Sequence, residues 1–367
     1  MNFGLEILWR FAIFVLAFSS VSRSVAAFQD VPARSAEPKV SSGLRSEDVK
    51  FTSKETEIVG TLVLPKASTT RRRFPAVILI SGSNQGKGDK FIVARSPRAA
   101  FTELTNELAQ KGIAVLRYDP RCTGKSGCKP DLTLQDHNED AQAALRMLAR
   151  RAEIDPARIV LIGHDEGGIF ASHAAVPVPR ETARPMGLVT IAMPGRVYSK
   201  ILREQEQRRL VAEGKSESDV ADYLAQFDRL ASAVTSGGTN DIAKLEIDKR
   251  DPILALIAGN VHYFFNQFIT DPLQVLRAVR VPVLVIHGER DAYLDSKEAV
   301  FLNEVQKGQY NPDLTLKILP QMDHWMRIGD KNSELTLDDP SRPLDPAFIS
   351  TLTEWLTKRF APQGRSK

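Results

Sequence analysis

Three residues in this 367-residue chain have the types, order and settings of a catalytic constellation: Asp165, Asp291 and His324. Asp165 stands in Gly163-His164-Asp165-Glu166-Gly167-Gly168, after the apolar run Ile159-Val160-Leu161-Ile162 and before a helical stretch that continues through Ala175. A strand, a four-residue turn and a helix in that order make a nucleophile elbow. Its glycines remove Cβ atoms that would collide in the turn, and its middle residue is pushed out over the end of the sheet. Asp291 closes His287-Gly288-Glu289-Arg290-Asp291 after the apolar Val281–Ile286, and His324 lies in Gln321-Met322-Asp323-His324-Trp325 after Leu314–Leu319. Each of the three follows a strand-like run, where such residues converge at one end of a parallel sheet. A carboxylate, a histidine and a second acid that orients the imidazole can activate water or form and hydrolyse a covalent ester.

The remaining chain supplies the elements that hold such a site. Val49–Ser53 and Ile58–Leu64 read as two antiparallel strands opening the sheet. Phe74–Ile80 is a continuous apolar run, as expected of a strand buried on both faces, and ends in the small-residue loop Ser81-Gly82-Ser83-Asn84-Gln85-Gly86. Phe101–Lys111 has helical spacing with a stop at Gly112; Ile113–Arg117 is a short strand; Asp136–Arg151 is an amphipathic helix with acids in its first turn and arginines in its last. Another apolar strand follows the elbow helix at Gly187–Met193. Helices over Ser296–Gln306 and Pro346–Phe360 cover the end of the chain. Alternating apolar strands and helices predict an α/β fold, a mostly parallel central sheet with helices on both faces. Between residues 196 and 275 the pattern becomes charged and helical (Glu204–Glu213, Asp219–Ala233, Ile242–Leu256), which predicts a helical cap inserted between core segments 47–195 and 276–361.

The N-terminus reads as an export signal. Arg10 precedes the apolar Phe11–Phe18, and small residues lead to Val25-Ala26-Ala27, so residues 1–27 are expected to be a cleaved signal peptide, 28–46 a linker and 362–367 a tail. The apolar run is too short for a stable membrane span, and the expected location is secreted or periplasmic. The hydrophobic fraction of 43% allows a substantial core. The net charge of +4 is small and scattered, with Arg71-Arg72-Arg73 the tight run, which argues against a nucleic-acid partner. Cys122 and Cys128, six apart in a glycine-containing loop, fit a disulfide or two inert thiols better than a metal site.

Most of the mature chain, about residues 48–360, resembles the α/β-hydrolase family that contains the bacterial esterase D type and related serine hydrolases. The matching pieces are Leu79-Ile-Ser-Gly-Ser83, Gly112–Arg121, Gly124-Lys-Ser-Gly127, Leu161–Gly168, Pro282–Asp291 and His324. The resemblance implies a helical cap, a small-molecule substrate, an esterase-like reaction and neither metal nor other cofactor. It also implies an oxyanion hole from the backbone N–H of Glu166 and one from Gly82 or Ser83. This chain departs from the family pattern at two positions: Asp165 stands where the family has serine, and Cys122 where a glycine follows the arginine.

The aspartate leaves the bond open. A carboxylate attacking an acyl carbon gives a mixed anhydride, uphill from an ester. The same carboxylate attacking a saturated carbon gives an alkyl ester that His324 can hydrolyse through water. Epoxide hydrolases and haloalkane dehalogenases are similar here in their Gly-His-Asp-x-Gly elbows. Dehalogenases place Trp after the nucleophile, whereas this chain has Glu166. Epoxide opening uses two cap tyrosines, for which Tyr198, Tyr223 and Tyr263 are the candidates among residues that also pack caps. Ester or lactone hydrolysis through water activated by Asp165 and His324 is the first expectation, epoxide or alkyl-halide opening the alternative, and a retired pocket that only binds the third. His164 is expected to pack behind the turn and His287 to support the Asp291 loop. Asp119 and Arg121 are expected to pair locally, with Asp323 a weaker rival to Asp291 as the orienting acid.

Overall fold

The computed structural model describes residues 39–66, 73–82, 97–129, 132–178, 181–237, 242, 244–248, 250–308, 310–329 and 338–361. The signal segment, most of the linker, Arg71, Arg72, Ser83 and the tail lie outside the described residues.

The strands are β1 (Arg45–Ser53), β2 (Thr56–Leu64), β3 (Phe74–Ile80), β4 (Ala114–Tyr118), β5 (Ile154–His164), β6 (Gly187–Ile191), β7 (Val283–Gly288) and β8 (Leu314–Leu319). They form one eight-stranded sheet in the order β1-β2-β4-β3-β5-β6-β7-β8. β1 and β2 pair antiparallel, as do β2 and β4, and every later pairing is parallel. This is the mostly parallel α/β sheet that the alternation of apolar runs predicted, in the α/β-hydrolase architecture that the family resemblance implied.

The pleat sorts the strand residues to two faces. Ala76, Ile78 and Ile80 of β3, with Ile159 and Leu161 of β5, join helices α2 (Leu134–Ala149) and α3 (Glu166–Ala175) in one apolar cluster. Val77 and Leu79, with Val160 and Ile162, face α1 (Arg98–Gln110) and the closing helix in a second. Each fully buried Ile, Leu or Phe in these layers contributes about 1.5–3 kcal/mol. Two-sided burial is why these strands read as unbroken apolar runs rather than alternating ones.

Between β6 and β7 the chain leaves the sheet for α4 (Tyr198–Ala212), α5 (Glu217–Thr235), α6 (Pro252–Gly259), α7 (Val261–Ile269) and α8 (Pro272–Ala278). Helices α4 to α7 share an apolar cluster of their own around Phe227, Leu230, Ile257, Phe264 and Phe268. Leu276 of α8 is instead part of the first core cluster. The helix expected over 242–256 is corrected: residues 245–248 are not helical, and α6 starts at Pro252. Asp251 accepts the N–H groups of Ile253 and Leu254, and proline, lacking an N–H, opens a helix rather than sitting inside one. After β7 come α9 (Lys297–Lys307), β8 and α10 (Pro346–Phe360). Among the described residues no helix is long and apolar enough to cross a membrane.

Candidate active site

β5 is flanked by β3 on one side and β6 on the other, and chain order reverses between β3 and β5. Ligand sites of open α/β sheets lie at such a reversal, outside the carboxyl ends of the strands. Asp165 stands there, at the end of β5, and is the N-cap of α3. Its φ is +54°, in the left-handed region that non-glycine residues seldom occupy. The turn closes through Asp165 N–H to Ile191 O (2.9 Å) and Gly168 N–H to Asp165 O (2.9 Å). A Cβ at Gly163 would lie 2.3 Å from Gly167 O, so the glycine is required by close approach.

His324 faces the elbow. Its Nε2 is 3.9 Å from Asp165 Oδ2, and its Nδ1 is 2.9 Å from Asp291 Oδ2. The histidine is almost fully buried and Asp291 completely so, whereas 38% of the Asp165 side chain is exposed. Asp291 Oδ1 accepts the N–H groups of Tyr293 and Leu294, each at 2.8 Å. Burial pushes Asp291 upward, but His324, His287 and the backbone donors outweigh it, and the carboxyl is held below its usual range. It is an anion fixed in place that draws the Nδ1–H of His324, which leaves Nε2 as the ring nitrogen directed toward Asp165.

The surrounding histidines do what the sequence suggested. His164 is buried behind the turn and its Nε2–H donates to the carbonyl of His324 at 2.7 Å, since a carbonyl only accepts. Burial, with the nearby His324 adding to it, pushes His164 down to about 3, so it is neutral. His287 lies 3.9 Å from Asp291 Oδ2 and contacts Leu294 O at 3.2 Å, under the Asp291 loop. His137 stacks on Phe170 of α3 at 4.9 Å.

Asp323 is not the orienting acid. Its Oδ1 accepts the N–H groups of Trp325 and Arg327, each at 2.9 Å, and its Oδ2 is bound by Arg342. The expected Asp119–Arg121 pair is also corrected. Arg121 is fully buried and grips both oxygens of Asp140 on α2 (2.7–2.9 Å) together with Ser53 and Thr56, while Asp119 accepts the N–H of Lys125. Cys122, where the resembling family has glycine, has φ +61° and is disulfide-bonded to Cys128.

Of the oxyanion positions, Glu166 is the first residue of α3, where N–H groups have no helical partner. Gly82 abuts it: a Cβ there would be 3.3 Å from Glu166 Cβ. Of the tyrosines, Tyr223 is removed from the site, because its hydroxyl donates into Glu206 and Asp251 inside the insertion. Tyr198 packs on the insertion's own cluster, while Tyr263 borders Glu166 and Gln267. Two site neighbours carried no signal in the sequence. The Tyr293 ring is 4.8 Å from that of His324, and the Gln267 amide donates to Glu166 Oε1. A tyrosine two residues past Asp291 and a glutamine inside an apolar helix belong to no motif. Among the described residues no group of three or more His, Cys, Asp or Glu has metal-binding placement.

Residues 98–331 match the Hydrolase_4 family model, described as serine aminopeptidase, S33. Esterase EstD of Thermotoga maritima is 26% identical over 301 residues, covering 82% of this chain and 65% of that protein, so the chain spans just under two thirds of this relative's length. Among solved structures, an esterase of Pyrococcus furiosus matches with a TM-score of 0.54 at 16% identity, over 89% of this chain and 97% of that one. A hypothetical protein of Pseudomonas aeruginosa matches with a TM-score of 0.54 at 16% identity, over 88% and 96%. At such identities these structures carry the fold.

Proposed function

The chain belongs to the Hydrolase_4 (serine aminopeptidase, S33) family of α/β hydrolases, and from that premise we propose that it is an exported hydrolase of a small, uncharged carboxylic ester or lactone. Asp165, His324 and Asp291 are its catalytic constellation. The observation that carries this reading is the relay Asp291 Oδ2, His324 Nδ1 (2.9 Å), His324 Nε2, Asp165 Oδ2 (3.9 Å). The last gap is too long for a direct hydrogen bond, and a water about 2.8 Å from each atom would bridge it.

In this mechanism His324 Nε2 takes one proton from that water while the Asp165 carboxylate accepts a hydrogen bond from the hydroxide's remaining hydrogen. The hydroxide adds to the ester carbonyl carbon, and the resulting oxyanion is held by the N–H of Glu166 and one from the Gly82–Ser83 segment. When the intermediate collapses, the carbon–oxygen bond to the alcohol breaks, and the imidazolium returns its proton to the leaving alkoxide. Asp291 stabilises the imidazolium between those two steps.

A carboxylate at the elbow also favours a second reading, epoxide or alkyl-halide opening through an alkyl ester on Asp165. Glu166 in place of a halide-holding tryptophan, and a Tyr223 hydroxyl engaged by two carboxylates, weigh against it. The test is ester turnover and intact mass for wild type and His324→Gln, offered esters, epoxides and haloalkanes. The ester reading expects histidine-dependent ester turnover without adduct. An alkyl adduct trapped on Asp165 in the variant replaces it with the second reading. Absence of any turnover, with ligand affinity that survives the substitution, would make the pocket a binding site.

A further inference from the structure

Resting on the ester-hydrolysis reading, we propose that the hydrogen bond from Gln267 to Glu166 is a latch that seats the inserted helices on the elbow, making Gln267 a positioning residue for the oxyanion-binding end of the site. Glu166 directly follows Asp165, and its backbone N–H is the oxyanion donor of the mechanism above. Its side chain turns toward the insertion, where Oε1 accepts the amide of Gln267 on α7, 101 residues later in the chain. Its other oxygen lies over Gly82 at the end of β3, 3.6 Å from where a Cβ would be. One carboxylate, carried by the elbow helix, therefore binds the insertion and faces the end of β3.

The setting makes the bond consequential. Residues 252–269 contain no Asp, Glu, Lys or Arg, so α6 and α7 bring no formally charged acid or base to this contact. Gln267 and Glu166 are each 8% exposed, and Gln267 sits between the turns that carry Phe264 and Phe268 in the insertion's cluster. A buried amide and a buried carboxylate separated without hydration are each left with unsatisfied hydrogen-bonding groups, which is costly, so the contact is either made or opened to water, with little between. The void beside the pair, lined by Thr133, His137, Tyr263 and Asn266 among others, is about 10 Å³, room for at most about one water.

The opposite side of the insertion is tied differently. Arg196 grips Glu298 of α9 and Glu204 of α4, and Gln205 of α4 donates to the carbonyl of Tyr293. Helix α7, by contrast, packs mainly on α4, α5 and α6, within the insertion. The α4 side is a fixed base, and the α7 side is held to the elbow by the Glu166 contact.

Gln267→Leu keeps the bulk and removes the donor. The latch predicts that kcat for a simple aryl ester falls about tenfold with KM nearly unchanged and the fold intact by circular dichroism. It also predicts faster amide hydrogen exchange across 261–269 while α5 stays as protected as in wild type. Gln267→Glu sets two carboxylates together and should recover activity as pH falls and one protonates, a limb absent from the wild-type profile. The exchanged pair Glu166→Gln with Gln267→Glu should restore both kcat and α7 protection. Unchanged kcat and exchange in Gln267→Leu, or failure of the exchanged pair to restore either, would overturn the latch. If wild type lacks histidine-dependent ester turnover, the ester reading fails, and the exchange measurements decide the latch by themselves.

Discussion

Asp165 occupies a backbone position that most residues avoid, with φ +54°, because the elbow must lift its side chain off the sheet. Acyl transfer to a carboxylate there would give a mixed anhydride, uphill from an ester, so the proposed mechanism rests on the imidazole that Asp291 orients. His324→Gln should lower ester turnover by about 10²–10⁴, the usual contribution of a general base, with the far-UV spectrum unchanged. A rate within threefold of wild type, measured with the same ester, would remove His324 from the mechanism. The buried histidines give a second prediction at this scale. Burial, aided by the charge of Arg121 in one case and by the neighbouring His324 in the other, holds His137 and His164 at about 3, whereas both titrate near 6.5 once unfolded. The unfolded chain then binds more protons between those values, so stability is complete above about 6.5 and falls with pH below it. Unfolding free energies from urea titrations between pH 7.5 and 4.5 should decline, by on the order of 3 kcal/mol per histidine at the acid end. Asp291, held low, adds its own loss only further down, as pH drops below the ordinary carboxylate range.

Helices and loops around the site show where local patterns suffice and where they do not. The closing helix Pro346–Phe360 was legible to the residue, because Asp345 caps it and proline opens it. The same Asp-Pro signal occurs at Asp251-Pro252, inside the helical spacing of 242–256, and there the cap decides where the helix starts. The Asp119–Arg121 expectation failed for a different reason. Arg121 finds its partner, Asp140, nineteen residues away across a helix packed on the sheet, and proximity in sequence says nothing of that. That pair ties the β4 loop, the end of β1 and α2 together in the dry interior. Arg121→Met should cost roughly 3–5 kcal/mol in urea unfolding by leaving Asp140 buried and unpaired, and Arg121→Met with Asp140→Leu should recover much of it. The adjoining disulfide closes a short loop, so reducing Cys122–Cys128 should cost about 2–2.5 kcal/mol on the chain-entropy model. A thermal midpoint unmoved by reductant would mean that the loop is held by its hydrogen bonds alone.

Across the whole molecule, the order of strands explains why the sequence brings Asp165, Asp291 and His324 to one end of the sheet. Apolar runs at Phe74–Ile80, Ile159–Ile162 and Val281–Ile286 announced two-sided burial, hence a parallel sheet, and residues just beyond such strands converge at one edge. What no periodicity records is which strands lie side by side. The reversal between β3 and β5 sets Gly82 against Glu166, and the return of α7 over the elbow sets Gln267 against the same residue. That Asp165, Asp291 and His324 meet at one end of the sheet was therefore legible, and the parts that shape the space around them were not. The central claim, that water activated between Asp165 and His324 attacks the ester directly, is tested most directly by single turnover in heavy-oxygen water, followed by mass analysis of the product and of the peptide containing Asp165. Direct attack predicts the heavy oxygen in the carboxylic acid product and none in Asp165. Heavy oxygen in the carboxylate of Asp165 would mean that an enzyme ester had formed and been hydrolysed, and would contradict the account.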